Sequence, residues 1–514
     1  MRTDFDIAVV GSGFGGSLTA MIAKRLGRSV ILLERGRHPR FVIGESSTPL
    51  ANLLWEELAN RYVLPRLRPL SKWGSWQRTY PKISGGLKRG FTFYHHRFGH
   101  RFASDPERRD QLLVAASPRD DLGDTHWYRP DLDHFLVREA QQLGVEYVDE
   151  TKLNGIAIHG DTVRLDGNRG GRGLTFSARF VVDASGPRGF LHRALGLPET
   201  QFEHFPKTQA LYGHFRDVMR WAELFPTPEI PPYPVDDAAM HHVFEGGWIW
   251  VLRFNNGVTS GGVALTDRLA AELFLGEGAP AWQRLLQRLP SVQEQFEISR
   301  AEFPLVYLPK VAFRCGRTAG ANWALLPSAA GVVDPLLSTG FPLTLLGIVR
   351  LAGLFERDWH SPRLAPGLTA YERETLGELD VTATLVAALY ATMNNFEAFT
   401  ALSLLYFTAA SFSELARRLG RPESARSFLL HDDPRFGPQL RECCERALGD
   451  GDREPGRLRE QVLEMIQAFD VAGLADPERH NWFPIRPDDL LRAAPKLGVT
   501  GVEIRLWLRS QGIL

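Results

Sequence analysis

The 514-residue sequence lacks net charge and is poor in cysteine, and each deficit excludes a class of protein. Its 60 lysine and arginine residues balance 60 aspartate and glutamate residues. A neutral chain offers no electrostatic footprint for nucleic acid or an anionic membrane, so we expect neither as a partner. The three cysteines are Cys315, Cys443 and Cys444, and adjacent cysteines rarely bridge each other. We therefore expect no disulfide framework and a cytoplasmic location.

The sequence also lacks an uninterrupted apolar run of the roughly 20 residues that a transmembrane helix needs. The nearest candidate, residues 381–412, is interrupted by Asn394, Asn395 and Glu397, so we interpret it as buried helix. Its Phe, Tyr and Ala residues either fill the core or line a pocket for an aromatic ring. The N-terminus is acidic and passes directly into a strand-like pattern, which is not typical of a signal peptide.

Metal-ligand spacing and internal repeats are absent as well. His95, His96 and His100 lie close together in sequence, but no carboxylate spacing supports a metal centre, and we predict none. No repeat of fixed period is present, which excludes solenoids and propellers.

What the chain does contain is a dinucleotide-binding pattern near its N-terminus. A strand-like stretch, 5–10, leads into a glycine-rich turn, 11–16, and then into a helix-like stretch, 17–26. A second strand-like stretch, 29–34, ends on an acidic residue. This order predicts a βαβ unit that binds a dinucleotide.

Each residue of the turn has a physical role in such a unit. Gly11 permits the tight turn, Gly13 lets the backbone approach a pyrophosphate, and Gly16 lets helix and strand pack closely. Phe14, inside the turn, belongs to the same cofactor site. The helix N-terminus offers free N–H groups to phosphates, and Glu34 is placed to accept hydrogen bonds from ribose hydroxyls.

Three later features favour FAD over NAD. Residues 180–187 read as a strand that returns to the nucleotide domain and ends at Asp183 in an Asp-x-x-Gly turn. Residues 323–335, with Ser328 and Asp334, resemble the late FAD-contacting segment of flavoprotein hydroxylases. Arg129 resembles the arginine that those hydroxylases aim at FAD, with a solvated surface arginine as the alternative. No second glycine-rich turn indicates an NAD(P)H site, so we expect the reductant to arrive as reduced flavin.

Four further patterns together resemble the flavin-dependent halogenases of the tryptophan halogenase family, over about the first 360 residues. They are a Gly44-Glu45-Ser46 segment, a lysine segment around Lys88, a strand with Trp248-x-Trp250 similar to the family signature W-x-W-x-I-P, and a loop at 334–340. Together they look closest to the phenol and pyrrole branches of that family.

The resemblance implies an FADH2- and oxygen-dependent enzyme that installs chloride or bromide on an electron-rich aromatic ring of the phenol, pyrrole or indole type. Halide held at Ser338, Thr339 and Gly340 would be oxidised to hypohalous acid. Lys88 would receive the oxidant, either as a hydrogen-bond donor or as a haloamine, and Glu45 would accept the ring proton or stabilise the ring cation. A separate flavin reductase would supply FADH2, and the substrate would be free or bound to a carrier protein.

Simpler interpretations of the same residues remain. Lys88 alone would be a surface lysine, and Glu45 alone would be a charge at a helix N-terminus. Trp248 and Trp250 point to one face of a strand and would serve in the core.

Two departures from the family patterns keep other functions open. Leu252-Arg253 stands where the signature ends in Ile-Pro, and Pro327-Ser328 stands where many flavoproteins have Gly-Asp. The first leaves open an FAD-dependent aromatic hydroxylase. Both together leave open an FAD-binding protein whose chemistry has degenerated.

The predicted fold is α/β, and α+β overall, with a Rossmann-like FAD-binding domain of the flavoprotein monooxygenase type. We assign residues 1–205 and 323–360 to that domain, with a loop-rich insertion at about 60–125. Residues 206–322 are assigned to a substrate-side β-sheet, and residues 361–514 to a helical C-terminal region. A loop is predicted at 449–455.

Overall fold

In a computed structural model, which describes residues 4–450 and 455–514, the chain builds two large sheets and a helical layer. The predicted loop at 449–455 falls mostly outside the described residues. The strands in the described part are β1 Asp4–Val10, β2 Val30–Leu33, β3 Gly85–Lys88, β4 Gly90–His95, β5 Gln111–Ala115, β6 Asp124–Trp127, β7 Glu146–Val148, β8 Thr151–His159, β9 Thr162–Arg169, β10 Arg172–Asp183, β11 Glu199–Thr200, β12 Thr208–Arg216, β13 Ala239–Phe244, β14 Gly247–Arg253, β15 Thr259–Thr266, β16 Arg300–Ala301, β17 Val306–Leu308, β18 Phe313–Cys315, β19 Ala319–Gly320, β20 Trp323–Leu325, β21 Gly331–Val332 and β22 Trp482–Phe483.

The α-helices of the same described residues vary from one turn to 28 residues in length. They are α1 Phe14–Arg25, α2 Pro49–Arg61, α3 Trp73–Thr79, α4 Arg129–Gln142, α5 Phe190–Ala194, α6 Trp221–Leu224, α7 Asp267–Glu272, α8 Ala279–Arg288, α9 Pro290–Phe296, α10 Pro327–Ala330, α11 Gly340–Arg357, α12 Leu364–Ala391, α13 Phe396–Arg418, α14 Phe436–Asp450, α15 Pro455–Ile466, α16 Pro487–Arg492 and α17 Gly501–Ser510.

The first sheet is the predicted nucleotide-binding unit. Its strands lie in the order β19-β20-β10-β1-β2-β7, and β1 pairs in parallel with both β2 and β10. The strand β1 is apolar and buried along almost its whole length, as parallel strands covered on both faces must be. Helix α1 follows at once and packs against β1 and β2. The predicted strand–turn–helix–strand order is therefore confirmed.

The second sheet is larger than the assignment of residues 206–322 implies. Its order is β16-β12-β15-β14-β13-β4-β5-β22, so strands from three parts of the chain share it. The stretch 60–125, expected to be rich in loops, contributes β4 and β5. Those strands are almost fully buried, and their aromatic and branched residues favour the interior positions that they hold in the sheet.

The helical C-terminal region forms the third layer. The apolar stretch 381–412 is buried, as predicted, but it belongs to two helices, because α12 ends at Ala391 and α13 begins at Phe396. The break follows from Asn395, whose side chain caps α13 by accepting a hydrogen bond from the Ala398 N–H.

Two helical segments are long and apolar enough to cross a membrane by length and composition. These are Leu336–Arg357 and Phe396–Arg418, and 83% of the apolar window of each is buried inside the protein. Such burial is typical of core helices, which pass the same test on composition.

Candidate active site

The glycine turn after β1 has the close backbone approaches that the sequence predicts. Gly11 adopts a φ of +96°, which favours glycine, and a Cβ there would lie 2.6 Å from the Ala184 carbonyl oxygen. A Cβ on Gly16 would lie 1.8 Å from the Gly11 carbonyl oxygen, so only glycine fits. At Gly13 the nearest atom to an added Cβ is Nη2 of Arg129, at 3.2 Å. The turn therefore presents bare backbone and a cation at the start of α1, as a pyrophosphate site requires.

Glu34 ends β2 and faces this turn. Its carboxylate accepts hydrogen bonds from the backbone N–H and hydroxyl of Ser12, each at 3.0 Å, and from the Gly36 N–H at 2.8 Å. Burial raises the pKa of Glu34, but Arg40 at 3.1 Å and these donors outweigh it, so the pKa lies below its usual value. The carboxylate is therefore ionised beside the turn.

Arg129 is buried rather than solvated, so the surface alternative is wrong. It begins α4, and its guanidinium makes two hydrogen bonds, of 2.9 and 2.8 Å, with the Asp133 carboxylate. It also donates to the Gly44 carbonyl at 2.9 Å. Arg129 thus joins the glycine turn to the segment that carries Glu45. Phe14 packs in the core close by, with its ring centroid 4.8 Å from that of Phe341.

Asp183 and Ser328, both predicted to contact the cofactor, lie at the carboxyl ends of neighbouring strands of this sheet. The Asp183 carboxylate accepts bonds from Ser185 and from the Leu191 N–H, so its oxygens stabilise the start of α5. Burial raises the pKa of Asp183. Ser328 is half-buried in the short helix α10, directly after β20.

Strand β6 brings the lysine segment and the Glu45 segment together. Residues of β3 pair with it on one side, including Lys88 with Asp124. On its other side, the Ser47 N–H donates to the Thr125 carbonyl and the Trp127 N–H donates to the Glu45 carbonyl. Two sequence motifs separated by about 40 residues are therefore held on either edge of one short strand.

Lys88 is completely buried, so the surface interpretation of this residue is wrong. Its ammonium donates to the Ser46 hydroxyl at 2.8 Å and to the Ser47 carbonyl at 2.6 Å, and Nζ lies 3.5 Å from the Ser338 hydroxyl. It also lies 3.7 Å from the centre of the Phe91 ring. Burial lowers the pKa of Lys88 to about 7, although the charge of Asp124 acts in the opposite direction. The lysine therefore connects the Glu45 segment with the loop at 334–340.

The Glu45 carboxylate is buried and contacts the second sheet. Its Oε1 lies 2.7 Å from Nε2 of His214, on β12. That histidine is enclosed by aromatic rings, including Phe41 and Tyr128. The structure thus joins Glu45 to a histidine that the sequence analysis missed and that no local pattern marks.

The loop at 334–340 is fixed by a buried carboxylate. Asp334 accepts hydrogen bonds from the Trp248 indole at 3.1 Å, from the Leu336 N–H at 2.9 Å and from the Tyr390 hydroxyl at 2.9 Å. Burial raises the pKa of Asp334 to about 6, against these three donors. Trp248 therefore does more than fill the core, because its N–H fixes the loop. Tyr390, on α12, was not predicted.

Not every backbone N–H group predicted to bind the halide is free to do so. The Ser338 N–H is bonded to the Pro335 carbonyl at 3.1 Å, so it is unavailable to an anion. Gly340 is the first residue of α11, where N–H groups have no partner within the helix, and Thr339 precedes it. A Cβ on Gly340 would meet no atom within 4 Å, so space lies open beside it.

The end of β14 packs directly on the lysine segment through backbone atoms. A Cβ on Gly86 would lie 2.0 Å from the Arg253 carbonyl oxygen. The Asn255 N–H donates to the Gly85 carbonyl, and the Asn255 side chain accepts from the Gly85 N–H. The Arg253 side chain points elsewhere, to Asp236 and the Val218 carbonyl. Trp250 is buried on the same face of β14 as Trp248, as predicted.

A cleft opens beside Phe91, between the second sheet, helix α13 and the C-terminal segment. Its empty volume, counting the open mouth, is about 1120 Å³. Apolar and aromatic side chains dominate its walls, among them Phe91, Tyr406, Phe407, Trp507 and Ile513. Tyr406 and Phe407 belong to the stretch 381–412, so that stretch both fills the core and lines a pocket.

The clustered histidines pair with individual residues elsewhere in the structure. His95 pairs with Asp110 at 2.9 Å, and His96 pairs with His242 at 2.9 Å. Within residues 4–450 and 455–514, no group of three or more His, Cys, Asp or Glu side chains is arranged to hold a metal ion.

Comparison with known proteins places the chain beside halogenases. A family model described as tryptophan halogenase matches residues 126–399, just over half of the chain. Tetracycline 7-halogenase of Kitasatospora aureofaciens is 28% identical over 95% of this chain and 92% of its own length. Monodechloroaminopyrrolnitrin halogenase PrnC of Pseudomonas fluorescens is 29% identical over 84% of this chain and 77% of its own. The crystal structure of halogenase PltM with phloroglucinol and FAD superposes with a TM-score of 0.80 at 23% identity, covering 93% and 99% of the two chains. The fold is that of FAD-binding halogenases, as predicted.

Proposed function

Because this chain belongs to the tryptophan halogenase family and is a flavin-dependent oxidoreductase, we propose that Lys88 directs an electrophilic halogen onto an electron-rich aromatic ring in the cleft. The observation that carries the proposal is the position of the Lys88 ammonium. It is buried between the Glu45 segment and Ser338 of the loop at 334–340, and it lies against Phe91, which lines the cleft.

The residues near the glycine turn fit FAD. Gly13 and Arg129 present bare backbone and a cation at the start of α1, and Glu34 provides an ionised acceptor. When bound, reduced FAD would supply the electrons that activate oxygen, and the activated oxygen would then oxidise a halide to an electrophilic halogen species. We expect the reduced cofactor to come from a separate flavin reductase, since no second glycine-rich turn in the sequence has the pattern of an NAD(P)H site.

The loop at 334–340 supplies the halide site of this proposal. The N–H groups of Thr339 and Gly340, at the start of α11, suit a small anion, because the helix dipole adds positive potential there. Chloride and bromide are both compatible with such donors. Asp334 fixes the loop without facing the anion, since three donors within the protein occupy its oxygens.

Lys88 acts between this loop and the cleft. As an ammonium it donates a hydrogen bond to the oxidant and increases the electrophilicity of the halogen. As an amine it forms a haloamine instead. Both forms are accessible near neutrality, because burial lowers the pKa of Lys88 to about 7.

The proton that leaves the ring goes to Glu45 in this proposal, with His214 as its next partner at 2.7 Å. The aromatic substrate is of the phenol, pyrrole or indole type and binds in the cleft, where Tyr406 and Phe407 offer ring faces. Whether the substrate is free or bound to a carrier protein, and the cytoplasmic location, stay predictions.

Mass spectrometry of the products tests the function. Reactions contain the protein, FAD, a flavin reductase, NADH and phloroglucinol, a pyrrole or an indole, with bromide, with chloride or without halide. We expect a halogen isotope pattern in the product only when halide is present. An aromatic hydroxylase would add one oxygen in every arm, and that product would contradict the proposal. Turnover of no substrate despite normal FAD binding would favour an FAD-binding protein without this chemistry.

We expect Tyr390→Phe to weaken halide use selectively. The change removes the hydroxyl that bonds Asp334 at 2.9 Å and leaves the ring in place, so the loop at 334–340 loses one of its fixed points. The KM for bromide should rise by up to about tenfold, since one buried hydrogen bond contributes roughly 1 kcal/mol. Steady-state rates at varied bromide measure it. Tyr307→Phe, which removes a hydroxyl from an exposed tyrosine, is the control. An unchanged KM for bromide would show that Asp334 does not control the halide site.

A further inference from the structure

Asp124 is a buried carboxylate that the proposed reaction does not use. It is fully buried on β6, directly opposite Lys88 of β3 in the antiparallel pair. Side chains of directly paired residues lie on the same face of a strand pair. One of its oxygens, Oδ2, has no hydrogen-bond partner. A buried carboxylate with a free oxygen is costly unless a nearby charge compensates it.

The other oxygen of Asp124 has two partners, one of which lines the cleft. Oδ1 accepts a hydrogen bond from the Asn52 side chain at 2.8 Å, and the Lys72 ammonium lies 3.5 Å away. Lys72 lines the cleft and is partly exposed to it. Asp124 therefore lies between two lysines, one buried beside the loop at 334–340 and one at the cleft.

The hydrogen bonds of Lys88 go to Ser46 and Ser47, so Asp124 acts on Lys88 through its charge. In a dry site a single carboxylate has a large effect on a neighbouring ammonium, because little solvent screens the pair. Lys72 competes for the same negative charge.

We propose that Asp124 is a positioning residue that sets the protonation state of Lys88, and that Lys72 weakens this effect from the cleft. The inference rests on the proposed function of Lys88 but concerns a property that is measured without turnover. It also links the cleft to the reactive lysine, since a group that binds Lys72 changes how much of the Asp124 charge Lys88 feels.

Other groups around this pair do not provide an alternative counter-charge. From α13, Glu414 adds negative charge near Asp124, but it is paired with Arg418 at 2.7 Å, and the neutral Tyr406 lies beside them. On the Lys88 side, His126 and His241 are buried, and burial with the charge of Lys88 nearby lowers the pKa of each to about 3. Both histidines are therefore neutral at the pH where Lys88 titrates.

The eight lysines of the chain make a direct test practical. The holoprotein is labelled with ¹³C at lysine Cε, and the Lys88 signal is assigned by its loss in Lys88→Met. We expect wild-type Lys88 to titrate near pH 7, below every exposed lysine. In Asp124→Asn, which keeps an acceptor for Asn52, the midpoint should fall by about 1 pH unit or more.

Lys72→Met should shift the Lys88 midpoint in the opposite direction. It removes the cation that competes for Asp124, so the Lys88 midpoint should rise while Asp124 remains ionised. A general loosening of the fold would expose Lys88 to water and would raise its midpoint in both variants. Opposite shifts therefore separate the proposed role from a structural one. Lys82→Met and Asp161→Asn, at exposed positions, are the matched controls and should leave the midpoint unchanged.

A Lys88 midpoint that does not fall in folded, FAD-bound Asp124→Asn overturns the inference. If Asp124→Asn does not fold, a midpoint that fails to rise in Lys72→Met overturns it instead. Failure of the proposed function has a different signature, because wild type would then give no halogenated product whatever the titration shows. Where product forms, the pH at which its rate changes should shift in the same direction as the titration.

Discussion

Replacing Lys88 with methionine should abolish halogenation while FAD binding and oxygen consumption continue. Methionine approximates the length of lysine, so Phe91 and Ser338 keep a neighbour of similar volume, but no group remains that donates to or reacts with the oxidant. We expect halogenated product to fall by at least about 10³-fold, within the range for loss of an acid–base or nucleophilic group. Product is quantified by mass spectrometry, and oxygen uptake by an electrode.

The matched control for this change is Lys82→Met. Lys82 is exposed and lies six residues from Lys88, so its loss should leave product formation within about twofold of wild type. If Lys88→Met retains most of the halogenated product, the lysine is not the group that delivers the halogen. Oxygenated product that forms equally in both proteins would support the hydroxylase.

Gly16→Ala should remove FAD binding. A Cβ at this position would lie 1.8 Å from the Gly11 carbonyl oxygen, a backbone atom that cannot rotate away. Relief requires helix α1 to move away from the turn, and that movement destroys the surface offered to the pyrophosphate. Overpacking of this kind costs about 1–3 kcal/mol or more, so FAD affinity should fall at least about fivefold. Titration of the apoprotein by flavin fluorescence quenching measures it.

Gly15→Ala is the neighbouring control. An added Cβ there would contact side-chain methyl groups of Leu326 and Thr344 at 3.2 Å, a distance that requires shifts of only a few tenths of an ångström. We expect FAD affinity to change by less than about threefold, since small packing adjustments cost a few tenths of a kcal/mol. Equal losses in both variants would mean that the helix as a whole, rather than the contact with Gly11, determines FAD binding.

The nucleotide-binding half of the molecule was predictable because its determinants are local. Gly11, Gly16 and Glu34 lie within 24 residues of sequence, and the structure brings them together around one turn. Lys88 was proposed from its resemblance to the family's lysine segment, between glycines and aromatics, although the sequence could not tell that the side chain is fully buried.

The rest of the candidate site depends on contacts between distant elements. His214 reaches Glu45 from a strand 169 residues later, and Tyr390 reaches Asp334 from α12. Neither residue belongs to a local pattern, so periodicity and spacing carry no signal for it. No sequence pattern marks Asp124 either, because its proposed role follows from the pairing of β3 with β6.

The contribution of β4 and β5 to the second sheet was missed for a related reason. Between them lies a turn-rich stretch that hides two buried strands when the region is read along the chain. Strand β4 pairs in parallel with β13, which lies more than 140 residues away. Parallel strands are joined by a long connection, so a strand and its partner lie far apart in sequence. No local pattern around β4 therefore indicates that it pairs with β13.

The contact between Gly86 and the Arg253 carbonyl bears on how relatives of this protein are recognised. What the end of β14 presents to the lysine segment is a carbonyl oxygen, which every amino acid possesses, while the Arg253 side chain is occupied elsewhere. A search profile that requires Ile-Pro at positions 252–253 would therefore reject chains whose backbone makes the same contact with the lysine segment. Substitutions should be tolerated at Arg253 and excluded at Gly86. The glycine is therefore the more informative position for a search profile to require.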